Sequence, residues 1–539
     1  MPPSDTVQVP TGHGERLTLP ASDACADAAR TNAVQASRWS FEVAGLGVQA
    51  LRRLAREELL ATAVDFSASI GVVAAAPRAE GGSPLVFMTG HQPELVHPGV
   101  WMKNFLVAEL AQETGGVGVN LVVDTDGLDR LVARTPRMAP GLSVFSNALV
   151  VAAPGAAYVT TPAPSSAGLR RFRADGLAAL GSLSSPALAR HFAEFCDALD
   201  ASLSSSPNVA TLVTQARRRF EARVAAQYLE VPVSEVSRGA AFARFFVDIA
   251  FSAQRFAWAF NGAISAYRVA HKTRSLAQPF PMLRGDTDTV ELPFWVFDDS
   301  GRRHPLFAQA SAAGVVVLLC GDGPEGEAGG LSPLLTLPPN ADAATQMLRE
   351  GPLLAPRAVT LTLFHRLFAC DLFVHGVGGA RYDEVTDELA RAYYGIEPPT
   401  FAVASLTLYL PLGAPLVHGR DVEAAERKLE RFTHNPDDIL DDEELPLSGP
   451  ALAEATRLAS EKRSLREAIQ GADAAQKKAL GVRIRAVNAA LAEVMQPVAA
   501  ALASQVDRLR TDRAASDLVT DRSYPFCFWH PREISDKAR

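Results

Sequence analysis

The stretch from Leu85 to Asp126 constrains this chain more than any other part of its sequence. Leu85–Met88 is a short apolar run, and Thr89–Gly99 is a loop rich in Gly, Pro and His. Val100, Phe105, Val107 and Leu110 then keep helical periodicity as far as Thr114, where Gly115-Gly116 stops the pattern. A second apolar run, Val119–Val123, ends in Asp124-Thr125-Asp126. Strand, loop, helix, strand is a βαβ crossover, the connection that parallel strands require. It predicts a parallel sheet with helices packed on its faces. Ligands of such sheets bind beyond the carboxyl ends of the strands, here the Thr89–Gly99 loop and Asp124–Asp126.

A chain of 539 residues is too long for one core. The pattern divides it into a helical region at 1–83, closed by Gly81-Gly82-Ser83-Pro84, and the first half of a Rossmann-like core at 84–167. A helical connecting insertion follows at 168–275, then the second half of the core at 276–420, which includes a hairpin turning at Asp298-Asp299-Ser300-Gly301. Asp437–Glu444 reads as an acidic spacer. The 421–515 region reads as an antiparallel coiled-coil hairpin. Ala451–Ile469 forms one arm and Gly471 the turn. Ala474–Arg513, kinked at Pro497, carries a seam of Leu480, Ile484, Val487, Leu491, Val494, Val498, Leu502 and Leu509. That hairpin is a candidate homodimer interface. The aromatic run Tyr524–Trp529, within 516–539, is expected to return to the core, because left exposed it would aggregate. The expected class is therefore α/β.

Composition excludes several partners. With 52 Lys+Arg against 60 Asp+Glu, the chain lacks the basic surplus that nucleic-acid binding needs. The clusters Arg170-Arg171-Phe172-Arg173 and Arg217-Arg218-Arg219 read as solvated helix faces. Five cysteines without a CxxC fit a reducing compartment. The start of the chain has no basic segment followed by an apolar one, and Ala313–Cys320 is far too short to cross a bilayer. A cytoplasmic protein acting on small molecules, with no membrane partner, is expected.

Three segments carry candidate chemistry. In Thr89–Gly99, Gly90 and Gly99 let the backbone approach a ligand closely, and His91 and His97 can donate hydrogen bonds or exchange protons near neutral pH. Lys103, one turn into the helix, adds a point charge for an anion. His97-Pro98-Gly99 resembles the first half of the HxGH loop of nucleotidyltransferase-like folds, with Val100 in place of the second His. The second segment runs from a strand through Gly376, Gly378 and Gly379 to Arg381, a Gly-rich turn entering a helix that fits a phosphate or carboxylate. Asp383 and Glu384 would equally serve the helix dipole. Third, Asp124 and Asp126 can hold Mg²⁺, a ribose or a substrate amine, or simply form a turn. Arg284-Gly285-Asp286 and Glu291 read as structural. There is no HExxH, Walker loop, GxGxxG or Gly-x-Ser-x-Gly, and no tightly bound metal is expected.

In order along the chain, these segments resemble the cysteine-adding ligases of bacillithiol biosynthesis (BshC-type). That family has a Thr-Gly-Gln-Gln loop leading through a Gly-Pro step into a helix with a Lys. Thr89, Gly90, Gln92 and Lys103 match it, while His91 replaces the first Gln and His97-Pro98-Gly99 the later step. Asp124-Thr125-Asp126 fits the family's acidic strand end without its His. Val377-Gly378-Gly379, the helix to Tyr394, Pro398-Pro399 and Ser405-Leu406-Thr407-Leu408 match a later turn, helix and Ser-containing segment. The resemblance implies a nucleotidyltransferase-like core with a coiled-coil domain. It also implies a ligase joining an amino acid, cysteine in the family, to an amine of a sugar-containing acceptor. ATP or another nucleotide with Mg²⁺ would drive the reaction. From the chemistry of the segments themselves, His91, His97 and Lys103 would be catalytic, and Thr89, Gly90, Gln92, Gly99, Asp124, Asp126, Gly376, Gly378, Gly379 and Arg381 would bind substrate or nucleotide. A scaffold protein using the helical hairpin and a nucleotidyltransferase releasing pyrophosphate are the alternatives.

Overall fold

A computed structural model describes residues 7–72, 83–138, 140–224, 226–275, 280–311, 314–321, 330–413, 416–440 and 446–538. The Gly81-Gly82 break and residues 441–444 of the acidic spacer lie outside them. Two compact units form: Met1–Arg137 with Val144–Tyr409 and Arg522–Arg539, and Met138–Ser143 with Leu410–Asp521.

The first unit is α/β. Its larger sheet contains five parallel strands: β1 (Val86–His91), β2 (Val117–Val122), β3 (Leu229–Pro232), β4 (Leu372–His375) and β5 (Ala402–Leu406). Their spatial order is β3-β2-β1-β4-β5, and Arg16–Leu19 adds an antiparallel edge strand beside β5. The order grows outward in one direction from β1 and in the other from β4, so it reverses between these neighbours. Helix α1 (Pro98–Thr114) joins β1 to β2, and α3 (Val377–Tyr394) joins β4 to β5, with α2 (Val209–Glu221) between them in sequence. Right-handed crossovers running in opposite directions put α1 and α3 on opposite faces. Strand alternation agrees with this. Phe87, Leu372 and Val374 pack with Leu106, Val107 and Leu110 of α1, whereas Met88 and Phe373 share a core with Val385 and Leu389 of α3.

Helix α1 buries twelve of its 17 residues, and its apolar side chains accordingly spread over more than one face. It lies so close on β2 that a Cβ at Gly118 would stand 2.8 Å from the Val107 carbonyl oxygen. Strand β3 falls inside the segment read as mainly helical. Four residues, Leu-Glu-Val-Pro, are too few to show a pattern, and the strand is identified only by its pairing with β2. The Arg217-Arg218 cluster on α2 is likewise not a solvated face. Arg217 donates to Glu221 at 3.1 Å and to Glu230 at 2.8 Å, and Arg218 to Glu221 at 2.7 Å, all four side chains being buried. Tyr228 and Trp101 donate to Glu221 as well, and Asn120 donates to Glu230 at 2.7 Å. Burial alone would raise the Glu221 carboxyl, but the two guanidiniums outweigh it and hold that carboxyl below its usual range. The network joins α2, β3, β2 and α1.

The segment expected to complete the parallel core supplies to it only β4 and β5. Thr289–Pro356 builds a separate five-stranded antiparallel sheet, since tight turns such as Asp298–Gly301 can join only antiparallel neighbours. Glu291 is buried there between Arg284 and Arg357, 2.7 and 2.8 Å away, a structural pairing.

The second unit contains α4 (Gly419–His434), α5 (Gly449–Ala468), α6 (Ala474–Val494) and α7 (Gln496–Thr520). The single kinked helix expected over 474–513 is two helices meeting at 68°, and the second continues to Thr520. The break falls at Met495, two residues before Pro497, whose ring would clash with the Glu493 carbonyl if the helix continued. The seam residues Val487, Leu491, Val498 and Leu502 are buried with Ala455, Leu458 and Leu465 of α5 and Phe432 of α4. Among the described residues no single helix is long and apolar enough to cross a membrane. All five cysteines are free.

Arg217→Met leaves two buried carboxylates short of a partner and should lower stability by about 3–5 kcal/mol. The urea midpoint measures this, and a loss below about 1 kcal/mol would contradict the network's structural role.

Candidate functional site

Crevices beyond the carboxyl edge of a parallel sheet open where strand order reverses, here between β1 and β4. The Thr89–Gly99 loop and the Gly376–Gly379 turn leave the sheet at those two strands, one toward each face.

On the α1 side, His97 is the N-cap. Its Nδ1 accepts from Gly99 N at 3.1 Å, and Pro98 occupies the first turn, where no N–H is needed. Gly99 has no room for a side chain, because a Cβ there would lie 2.5 Å from the Leu406 carbonyl and collide with Arg522. Arg522 comes from the returning C-terminal segment. That return is real: Tyr524–Trp529 is buried, Phe526 N donates to Val96 O at 2.7 Å, and the Phe526 ring stands 4.8 Å from Trp101. Arg522 Nη2 donates to Ser405 Oγ at 2.7 Å and to Leu406 O at 3.2 Å, and its buried Nε has no partner. No carboxylate of the described residues pairs with it, and burial lowers its pKa. A half-buried guanidinium at a positive helix end has the chemistry to receive an anion.

Behind the loop, Lys103 is 4% exposed, and its Nζ donates to Gly90 O at 2.9 Å. It too has no carboxylate partner among the described residues, and burial lowers its pKa to about 7. His91 does not suit the proton-transfer role expected near neutral pH. Burial, reinforced by the nearby charges of Lys103 and Arg217, lowers its pKa to about 3 and keeps the ring neutral. Its Nδ1 faces Gln92 O at 2.9 Å, and its buried Nε2 has no hydrogen-bond partner. Thr89 is structural as well, its hydroxyl donating to Val374 O at 2.9 Å across the β1–β4 pair.

Asp124 and Asp126 separate. Asp124 is buried and receives Ser234 N at 3.0 Å and the Ser234 hydroxyl, while burial, opposed by these bonds, raises its carboxyl to about 6. Asp126 is 44% exposed and accepts from Gln92 Nε2 and Arg303 Nη1, each at 2.9 Å. Gln92 therefore faces Asp126 from the loop. Among the described residues, no three His, Cys, Asp or Glu side chains converge in a way that could hold a metal ion.

On the α3 side, Gly376 is the N-cap and Gly378 and Gly379 are exposed in the first turn. Arg381 sits at the fifth helical position and is exposed, so it is not the clamp expected at the helix start. Asp383 is not a dipole partner either. It is buried, 2.9 Å from His375 Nε2 and 2.5 Å from Arg366 Nη1.

Sequence reading missed Arg522 and His375. Arg522 is a lone Arg ahead of an aromatic run, and only the fold brings it to Gly99. His375 was legible as the last residue of a strand before a Gly-rich turn, but its carboxylate partner is eight positions further on a helix. Compared with models of known families and with curated proteins, the chain matches none. Two open surface grooves, of about 760 and 750 Å³, lie away from this site, beside Phe105, Gln112 and Arg532 and beside Val34, Trp39 and Ile396.

Lys103→Met tests whether the buried amine costs stability. A Lys whose folded pKa is depressed destabilises the fold fully below about 7, and the penalty fades as pH rises toward the unfolded value. The variant should melt above the wild type near pH 6, with the gap narrowing by about pH 10. A pH-independent difference would contradict the assignment.

Proposed function

We propose that this protein is a nucleotide-dependent carbon–nitrogen ligase whose site spans the carboxyl ends of β1 and β4. The observation that carries this reading is the meeting, at the reversal of strand order, of two helix N-termini with Lys103 and Arg522, cations that no described carboxylate neutralises. Buried or half-buried cations without counter-ions are costly unless an anionic ligand completes them. The order β3-β2-β1-β4-β5 fits a Rossmann-like core. The resemblance of Thr89, Gly90, Gln92, Lys103 and Val377-Gly378-Gly379 to BshC-type ligases supports an amino acid and an amine as the joined groups.

In this reading Arg522 and the α1 terminus hold the amino-acid carboxylate in its reactive orientation. Lys103 fixes the Gly90 carbonyl beneath the loop and places positive charge where the activated carboxyl develops negative charge. The acceptor amine displaces the phosphate or nucleotide leaving group from that carboxyl. Mg²⁺ would arrive with the nucleotide phosphates, since Asp124 commits both oxygens to Ser234. On this reading the pair of helices α5 and α6 would correspond to the coiled-coil element of the BshC-type plan. The scaffold alternative needs an open seam, and the seam's central residues are packed within the chain.

Thermal melting with ATP, ADP, AMP or CTP, with and without Mg²⁺, should show a rise for at least one nucleotide. Adding cysteine or another amino acid should raise it further, and Arg522→Ala should abolish only that second increment. No shift with any nucleotide would contradict the reading.

A further inference from the structure

The α3 N-terminus has a feature that the ligase reading does not use. The backbone N–H groups of Val377, Gly378 and Gly379 have no acceptor among the described residues, and the N-cap, Gly376, has no side chain to offer one. Orphan donors are normal for a first helical turn, and alone they specify nothing. Beside them stands His375, the last residue of β4, which is only 6% exposed. Its Nε2 lies 2.9 Å from Asp383 Oδ2, within ion-pair distance but outside hydrogen-bond geometry. Its Nδ1 has no partner among the described residues and points into the turn, 3.1 Å from where a Cβ on Gly379 would stand. Arg366, 2.5 Å from the same Asp383 oxygen and 2.7 Å from Asp387, offsets the carboxylate behind the ring. Burial would raise the Asp383 carboxyl, but Arg366 and His375 outweigh it and hold that carboxyl well below its usual range.

We infer that the first turn of α3 is a phosphate subsite, formed by the Val377, Gly378 and Gly379 amides together with His375 Nδ1. This rests on the nucleotide-dependent reading and assigns the phosphates to the α3 side of the crevice, leaving Arg522 to the amino-acid carboxylate. With Nε2 turned toward Asp383, Nδ1 is the ring atom that faces the turn. An imidazole nitrogen at this place can accept from a protonated phosphate oxygen or donate to an ionised one. Gly378 and Gly379 leave the amides uncovered, as phosphate cradles at helix starts require.

Calorimetric titration of the full-length protein with inorganic pyrophosphate and with ATP tests this. His375→Gln keeps a polar group facing Asp383 but loses the ring nitrogen at the turn, and Gly379→Val fills the cradle from an exposed position. Each should weaken both ligands by about ten-fold or more, the worth of one charge-assisted hydrogen bond. Arg522→Ala should leave pyrophosphate affinity nearly unchanged. ATP binding that survives both α3 changes would overturn the subsite while sparing the nucleotide reading. Loss of pyrophosphate in Arg522→Ala alone would move the phosphates to α1 and also overturn it. Failure of wild-type protein to bind either ligand would overturn both.

Discussion

The pairing of β1 with β4 is the constraint on which the rest of the site depends. These strands are parallel neighbours tied by Thr89 and Val374, residues 285 positions apart in sequence. Their crossovers leave in opposite directions, so α1 and α3 begin on opposite faces at one edge of the sheet. Each helix brings the positive end of its dipole to that edge. Arg522 and Lys103 on one side and His375 on the other add side chains that their protein surroundings leave incompletely paired. The proposed anion site follows from this topology before any residue is assigned a role.

A buried ion-pair network lies next to α1 and β2. The Arg217, Arg218, Glu221 and Glu230 network, buried under α1, locks α2, β3, β2 and α1 together. A buried network of this kind adds little net stability over apolar packing, but losing one member is expensive. It therefore favours one arrangement of the strands over near alternatives. Lys103 is different: its buried charge is met by a single backbone carbonyl, so the fold tolerates a cost at the place where a ligand would relieve it.

Legibility in the sequence followed local pattern. The β1–α1–β2 crossover is evident because apolar runs, a Gly-Pro-His loop and helical periodicity sit within one short stretch, and the Asp298–Gly301 hairpin is equally local. What the sequence hides is non-local. Strand β3 is four residues long, the buried role of Arg217 depends on Glu230 thirteen positions away, and Arg522 reaches Gly99 only through the return of Tyr524–Trp529. Charge runs resemble solvated faces whether or not partners await them, which is why Arg217-Arg218 reads as surface. His91 shows the complementary limit. Its position in a glycine-rich loop suggests proton transfer, and only its burial beside Lys103 removes that role.

The most direct test of the account is a crystal structure of the protein with a non-hydrolysable ATP analogue. Density is expected beyond the carboxyl ends of β1 and β4, with phosphates against the Val377–Gly379 amides and His375. Density confined to a surface groove, such as the one beside Phe105, Gln112 and Arg532, would contradict it.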